Sequence, residues 1–317
     1  MRGFLKIIKS LPLAFAVLLF LPVFVLAQQS GIQISPVTYN FELNPGETQK
    51  SKIIISNLND TAIDYVMEKE NFTSVSEEGA PSFSAGDLKE GVTTLADWIS
   101  FDGPTEGKLL PKQEKEINFT ISIPEGAEPG GHYAAVFVKQ IKKTEEGKTE
   151  LGVSSRVGTL ILVSVPGTTN KSAEIVEFKA PKLLLKGPVE CKKDGDKIIA
   201  GSCFTMKVRN NGTVHFDSKG TVEIKPLIGR TSVIDLGTHT ILPHNIRSFG
   251  AGWNKKYPFG YYRLKAQATD GDGNPITATA VMWAIPLIIV LPILATLIII
   301  FVVVRYVKKN FKLVAKK

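Results

Sequence analysis

Four histidines, two cysteines and one acidic glycine-containing turn are the groups in this 317-residue chain whose chemistry could build a site. His132 lies inside Pro129-Gly-Gly-His-Tyr133, His215 follows a turn, and His239 and His244 stand five apart. Metal ligands on one strand face recur at even intervals, so the odd spacing does not pair them. All four are expected to be exposed loop histidines. Asp270-Gly-Asp272-Gly-Asn274 sets oxygen ligands at alternate positions, as the start of a calcium loop does. Val281 stands where that loop requires a bidentate glutamate, and Pro275 follows at once. A β-hairpin turn explains the same residues through their turn preferences. The chain has no Gly-x-Ser-x-Gly, phosphate loop, Gly-x-Gly-x-x-Gly or His-Glu-x-x-His. No catalytic residue, metal or cofactor is expected, and the chain reads as a non-enzyme.

Cys191 and Cys203 flank Lys193-Asp-Gly-Asp196, which has turn composition. A disulfide across a hairpin and a pair of buried free thiols both fit; the bridge would contribute about 2–4 kcal/mol in an oxidising compartment. Without Cys-x-x-Cys no redox role is expected. Tyr133 and Tyr262 sit at matched positions ahead of alternating segments, which suits structural tyrosines whose hydroxyls tie a loop to a sheet. Five Asn-x-Ser/Thr sequons, at Asn59, Asn71, Asn118, Asn170 and Asn211, mark turns.

The elements that must position these residues are short and alternate in polarity. Val37–Leu43, Lys52–Ile55, Ile117–Ile123, Tyr133–Lys139, Leu160–Val165, Phe204–Val208, Val222–Ile224 and Tyr262–Ala268 are the clearest. Glycine, proline, asparagine and aspartate separate them, the spacing of a β-sandwich with one face of each sheet buried. One helical turn is expected within Asp87–Phe101. An internal repeat divides the set. Pro129-Gly-Gly-His-Tyr133 recurs as Pro258-Phe-Gly-Tyr-Tyr262, Leu110-Pro111 as Leu242-Pro243, and Ile55-Ser-Asn57 as Val208-Arg-Asn210. The extra length of the first unit falls in Thr73–Gly91, which reads as a long polar loop. The expected fold class is all-β, with two tandem immunoglobulin-like sandwiches over 28–170 and 171–282, joined within Pro166–Ser172.

The chain carries a net charge of +8 and a pI near 9.2, yet the excess sits at the two ends. Residues 1–27 hold three basic groups and no acid, ahead of an apolar run closing on Val25-Leu26-Ala27. This reads as a signal peptide cleaved after Ala27. Trp283–Val304 is 22 residues without a charge, followed by six basic groups in 305–317. It reads as a single transmembrane helix, bent at Pro292, with a cytoplasmic basic tail and the modules outside. Between the ends, 28–172 is net −7 and 173–304 net +6. A basic pI confined to membrane signals removes the support for nucleic-acid binding. The basic second module is either a solvated surface or one that leans on lipid headgroups or anionic wall polymers.

The order of features resembles a known family. Ile34-Ser-Pro36, Leu43-Asn-Pro45-Gly46-Glu47 and Ile55-Ser-Asn57 are followed by a Pro-Gly-Gly-x-Tyr-x-Ala-x-Val strand, a second β-module, one helix and a basic tail. This resembles the WxL-interacting proteins of bacterial surfaces, and more closely their uncharacterised relatives from candidate-phylum bacteria. The resemblance implies an immunoglobulin-like first domain that binds peptidoglycan and a second that binds a partner or host. The Ser-Pro, Pro-Gly-Glu and Asn run also resembles pilus chaperones, which offer a strand edge to a client. The expected function is a membrane-anchored surface protein that binds a cell-wall polymer or surface protein, by loops such as Thr73–Gly91 or by strand edges. The alternative is a chaperone or assembly factor that pairs strand edges with secreted subunits.

Overall fold

The computed structural model describes residues 31–83, 94–141, 155–194, 197–198 and 203–310. The expected signal segment with Ala27 and the last seven residues of the basic tail lie outside them.

The chain is all-β, as expected, in two tandem sandwiches. The first contains β1 (Ile32–Ser35), β2 (Thr38–Glu42), β3 (Thr48–Asn57), β4 (Ile63–Asn71), β5 (Ser74–Val75) and β6 (Pro81–Ser82). After α1 (Leu95–Trp98) come β7 (Ile99–Phe101), β8 (Glu106–Leu109), β9 (Glu114–Ser122), β10 (Gly130–Ile141) and β11 (Arg156–Val165). One sheet has the order β1-β3-β9-β7 and the facing sheet β2-β11-β10-β4-β8. Ile53, Ile55, Phe119, Ile121, Val136 and Ile161 point between them and are fully buried. Truncating one such side chain to alanine costs about 2–5 kcal/mol.

The second sandwich contains β12 (Ala173–Lys179), β13 (Leu183–Leu184), β14 (Lys193–Asp194), β15 (Lys197–Ile198) and β16 (Phe204–Asn210). Then follow β17 (Phe216–Pro226), β18 (Ser232–Ile241), β19 (Ile246–Ala251), β20 (Gly260–Thr269) and β21 (Pro275–Ala284). Its sheets run β12-β16-β19 and β13-β21-β20-β17-β18. Phe204, Met206, Val222, Ile224, Phe249 and Leu264 fill the core. Cys191 and Cys203 form a disulfide, S–S 2.04 Å, against that core.

The first strand of each module changes sheets. β1 pairs antiparallel with β3, and after Pro36 the chain crosses so that β2 pairs parallel with β11. In the second module β12 pairs with β16, and beyond Pro181 the chain reaches β21 as β13. Proline donates no backbone hydrogen bond, so each crossing falls where the first ladder ends.

The repeated asparagines explain part of the internal repeat. Asn57 Nδ2 donates to the carbonyls of Thr61, Leu109 and Leu110, and its Oδ1 accepts from Asn59 N–H. Asn210 Nδ2 donates to the carbonyls of Val214 and Ile241, while Oδ1 accepts from Gly212 N–H. Each buried amide closes its own turn and holds a distant strand connection, satisfying groups that water cannot reach.

Trp283 and Ala284, expected at the head of the membrane helix, are instead the last residues of β21, paired to β20 and β13. The helix α2 (Leu287–Asn310) begins after Pro286, whose carbonyl accepts the first helical bond from Val290 N–H at 3.1 Å. Helix geometry continues through Arg305 because nothing in the basic tail breaks it. The stretch Leu287–Lys309 is long and apolar enough to cross a membrane. Pro292 lies inside the helix, and Thr296 Oγ1 donates to its carbonyl at 2.9 Å.

Candidate functional site

Unpaired backbone on a sheet edge is the chemistry this fold leaves open. β21 pairs with β20 along its whole length, through the even-numbered residues, as the Asp270 N–H to Asn274 carbonyl bond at 2.9 Å sets the phase. The odd residues therefore turn their N–H and C=O to the other side. There β13 meets only Trp283 and Ala284, with Trp283 N–H donating to Lys182 O. Among the described residues no strand pairs with that side at Thr277, Thr279 or Val281. Their side chains are exposed, and Ile276-Thr-Ala-Thr-Ala-Val281 is uncharged and rich in β-branched residues. The result is an open, strand-forming edge of the type that accepts another strand.

β11, the equivalent strand of the first module, is better covered. β2 pairs with it from Leu160 to Ser164, leaving Arg156 and Gly158 facing outwards without a described partner strand. Arg156 packs its guanidinium 4.1 Å from the Phe137 ring centroid and bonds Glu70 at 2.8 Å.

The modules meet at the end of the first that holds Tyr133. His215, expected to be an exposed loop histidine, is buried there. Its Nε2 donates to Asn40 Oδ1 at 2.8 Å, and its Nδ1 accepts from the Tyr133 hydroxyl at 3.2 Å. The same hydroxyl accepts the His215 backbone N–H. Burial lowers the His215 pKa from 6.5 to about 4, against a small opposing pull from Asp217. Burial also raises the Tyr133 pKa. Tyr133 is thus structural, but it joins modules rather than closing its own loop. Tyr262 does the latter: its hydroxyl accepts Phe259 N–H at 3.1 Å.

Thr73–Gly91, expected to be a free loop for ligands, is engaged within the molecule as far as it is described. Residues 84–91 lie outside the described set. β5 and β6 form a small hairpin that docks on the second module. Val75 N–H donates to Asn245 Oδ1, Ser248 N–H to Glu77 O, and Lys207 Nζ pairs with Glu77 Oε2 at 2.7 Å. The Glu77 hydrogen bond raises the Lys207 pKa. Gly79 has φ +93° and lies directly against the Arg247 guanidinium, so a side chain there would clash. Buried Phe72, Tyr133, Leu162 and Leu242 form a joint apolar seam.

The remaining histidines are not equivalent. His239 belongs to β18 rather than a loop, half-buried with its ring 4.9 Å from Phe249. His132 opens β10, its ring 4.6 Å from Trp98, at a cleft of about 340 Å³ lined also by Asn71, Thr94 and Glu128. His244 alone is an exposed turn residue, with φ 60°. Among the described residues no three His, Cys, Asp or Glu side chains converge as a metal site. Asp270 closes the β20–β21 turn by accepting the N–H groups of Asp272 and Asn274, as the hairpin reading expects.

No family model matches the chain, and no curated protein does. Solved structures of similar fold include the E. coli chaperone DraB, 13% identical, covering 79% of this chain and 98% of that one, TM-score 0.33. The Pseudomonas aeruginosa CupB2 chaperone is 10% identical over 78% of this chain and 98% of its own, TM-score 0.34. The Salmonella enterica SafA pilin in complex with the SafB chaperone gives 10% identity over 80% of this chain and 97% of the matched one, TM-score 0.35.

Proposed function

We propose that this chain is a non-catalytic, membrane-anchored chaperone or assembly factor that holds an extended segment of an exported polypeptide on the open edge of β21. The observation that carries this reading is the uncovered backbone at Thr277, Thr279 and Val281. Amide and carbonyl groups repeating every second residue are matched in register by another strand, and no polysaccharide supplies that ladder. A polypeptide partner therefore fits better than a cell-wall polymer. Of the roles implied by resemblance to the WxL-interacting family, partner binding is the one this reading keeps. α2 is the anchor; Arg305, Lys308 and Lys309 after its apolar part put the tail in the cytoplasm and both modules outside. Nucleic acid has no part in it. A photocrosslinking side chain at Thr279 in the full chain, in its own membrane, is expected to capture one exported polypeptide. The same group at Thr61, on the first module, is expected not to. Equal capture at both positions would count against the edge as the site.

A further inference from the structure

The two modules follow each other in the same direction, so corresponding ends face different things. In the first, the end where β11 finishes is covered by the second module, and Phe72, which follows β4, is 3% exposed. In the second, the end where β21 finishes leads to α2, and Leu227, which follows the equivalent β17, is 76% exposed. Ile228 beside it is 89% exposed, Phe259 70% and Trp283 54%. Leu227 N–H donates to Tyr261 O, and Tyr261 stacks edgewise on Trp283 at 5.2 Å, so the turn and the strand end lie level. Basic residues follow or precede these tips closely in the chain: Arg230 after Ile228, and Lys255 and Lys256 before Phe259, while Lys182 O accepts the Trp283 N–H and Lys186 lies four residues beyond Lys182.

The joint to α2 has no slack. Ile285 and Leu287 donate their N–H groups to Leu184 O and Leu185 O at 2.7 and 3.0 Å. From Leu287 to Val304 the charge-free helix measures about 27 Å, just under a hydrocarbon core of about 30 Å. The hydrocarbon boundary then falls at or before Leu287, within a few residues of Trp283, and the Leu227–Ile228 turn is joined to that strand end through Tyr261. Aromatic and aliphatic tips with basic residues close in the chain are the composition that settles into a headgroup layer.

We propose that this end of the second module is a bilayer-seated foot: Leu227, Ile228, Phe259 and Trp283 enter the outer interface, and these basic residues bind anionic headgroups. The foot rests on α2 spanning the membrane, so the test reads both. Full chains bearing Ile228→Cys, Ile298→Cys or Thr61→Cys are labelled with bimane without reductant and reconstituted in phosphatidylcholine–phosphatidylglycerol vesicles containing brominated acyl chains. The expected result is strong quenching at position 298, loss of about half the signal at 228, and none at 61. Quenching at 298 without quenching at 228 overturns the foot while leaving the anchor intact. No quenching at 298 overturns the anchor, and the foot with it. Quenching at 228 that is unchanged in phosphatidylcholine alone overturns the headgroup contribution.

Discussion

Tyr133 and Tyr262 occupy the same Pro-x-Gly-x-Tyr motif at the start of the same strand in two related sandwiches, yet their hydroxyls do different work. Tyr262 bonds Phe259 N–H within its own turn. Tyr133 reaches across to His215, which in turn reaches back to Asn40. The motif fixes where the ring emerges, and the neighbour at that end decides what it ties. The end holding Tyr133 is capped by the next module, with a salt bridge, a docked hairpin and an apolar seam. The end holding Tyr262 has no second module against it among the described residues and leads to α2, and Leu227, Ile228, Phe259 and Trp283 are exposed there.

At the buried asparagines the two modules are alike. Asn57→Ala and Asn210→Ala each strand several buried backbone groups and are expected to cost about 3 kcal/mol. Denaturant unfolding followed by proteolysis of each module would show equal losses; a large loss in one alone would mean the repeat is not equivalent inside. Replacing Cys191 and Cys203 together by serine is expected to cost about 2–4 kcal/mol, confined to the second module, in the same assay.

The tyrosines should then diverge. Tyr133→Phe leaves buried His215 groups unpaired and is expected to cost about 2 kcal/mol, read as loosening between modules, whereas Tyr262→Phe costs about 1 kcal/mol within one. The junction is also pH-sensitive in a defined direction. His215 has its folded pKa lowered to about 4 from 6.5, so the unfolded or opened state binds more protons between those values. Stability from the neutral ring is full above pH 6.5 and is lost as pH falls towards 4, up to about 3 kcal/mol. Tyr133→Phe should keep that pH dependence and His215→Gln reduce it, as measured by melting across pH, with the remainder coming from His239, whose pKa burial and then Arg247 also lower. Lys207→Met, which removes a partly exposed ion pair to Glu77, is expected to cost about 1 kcal/mol or less and to lose even that in high salt.

Alternation and turn residues made the strands, the repeat and the Asp270 hairpin legible in the sequence, because those features depend on near neighbours. The burial of His215 was not legible, since Asn40 lies 175 residues away and only the stacked modules bring the two together. Thr73–Ser82 has the composition of a free loop, yet Val75 N–H and the Glu77 carbonyl and carboxylate bond the second module. Part of the acidic and basic split between the modules is explained at the same place, where Glu77 meets Lys207. Trp283 and Ala284 belong to an uncharged run that hydropathy cannot divide, and strand pairing to Lys182–Leu184 assigned them to β21. The open edge of β21 had no sequence signal beyond its β-branched run, because coverage depends on how far β13 extends.

Strand addition at the edge of β21 needs the outward N–H groups, which proline removes one at a time. Thr279→Pro removes one outward N–H while leaving the ladder to β20 intact, since Thr279 faces away from it. Full chain purified gently from native membranes is predicted to carry an exported polypeptide in the wild type and to lose it in Thr279→Pro, with melting unchanged within about 1 kcal/mol. Retention of the same polypeptide by a folded Thr279→Pro protein would rule out strand addition at this edge.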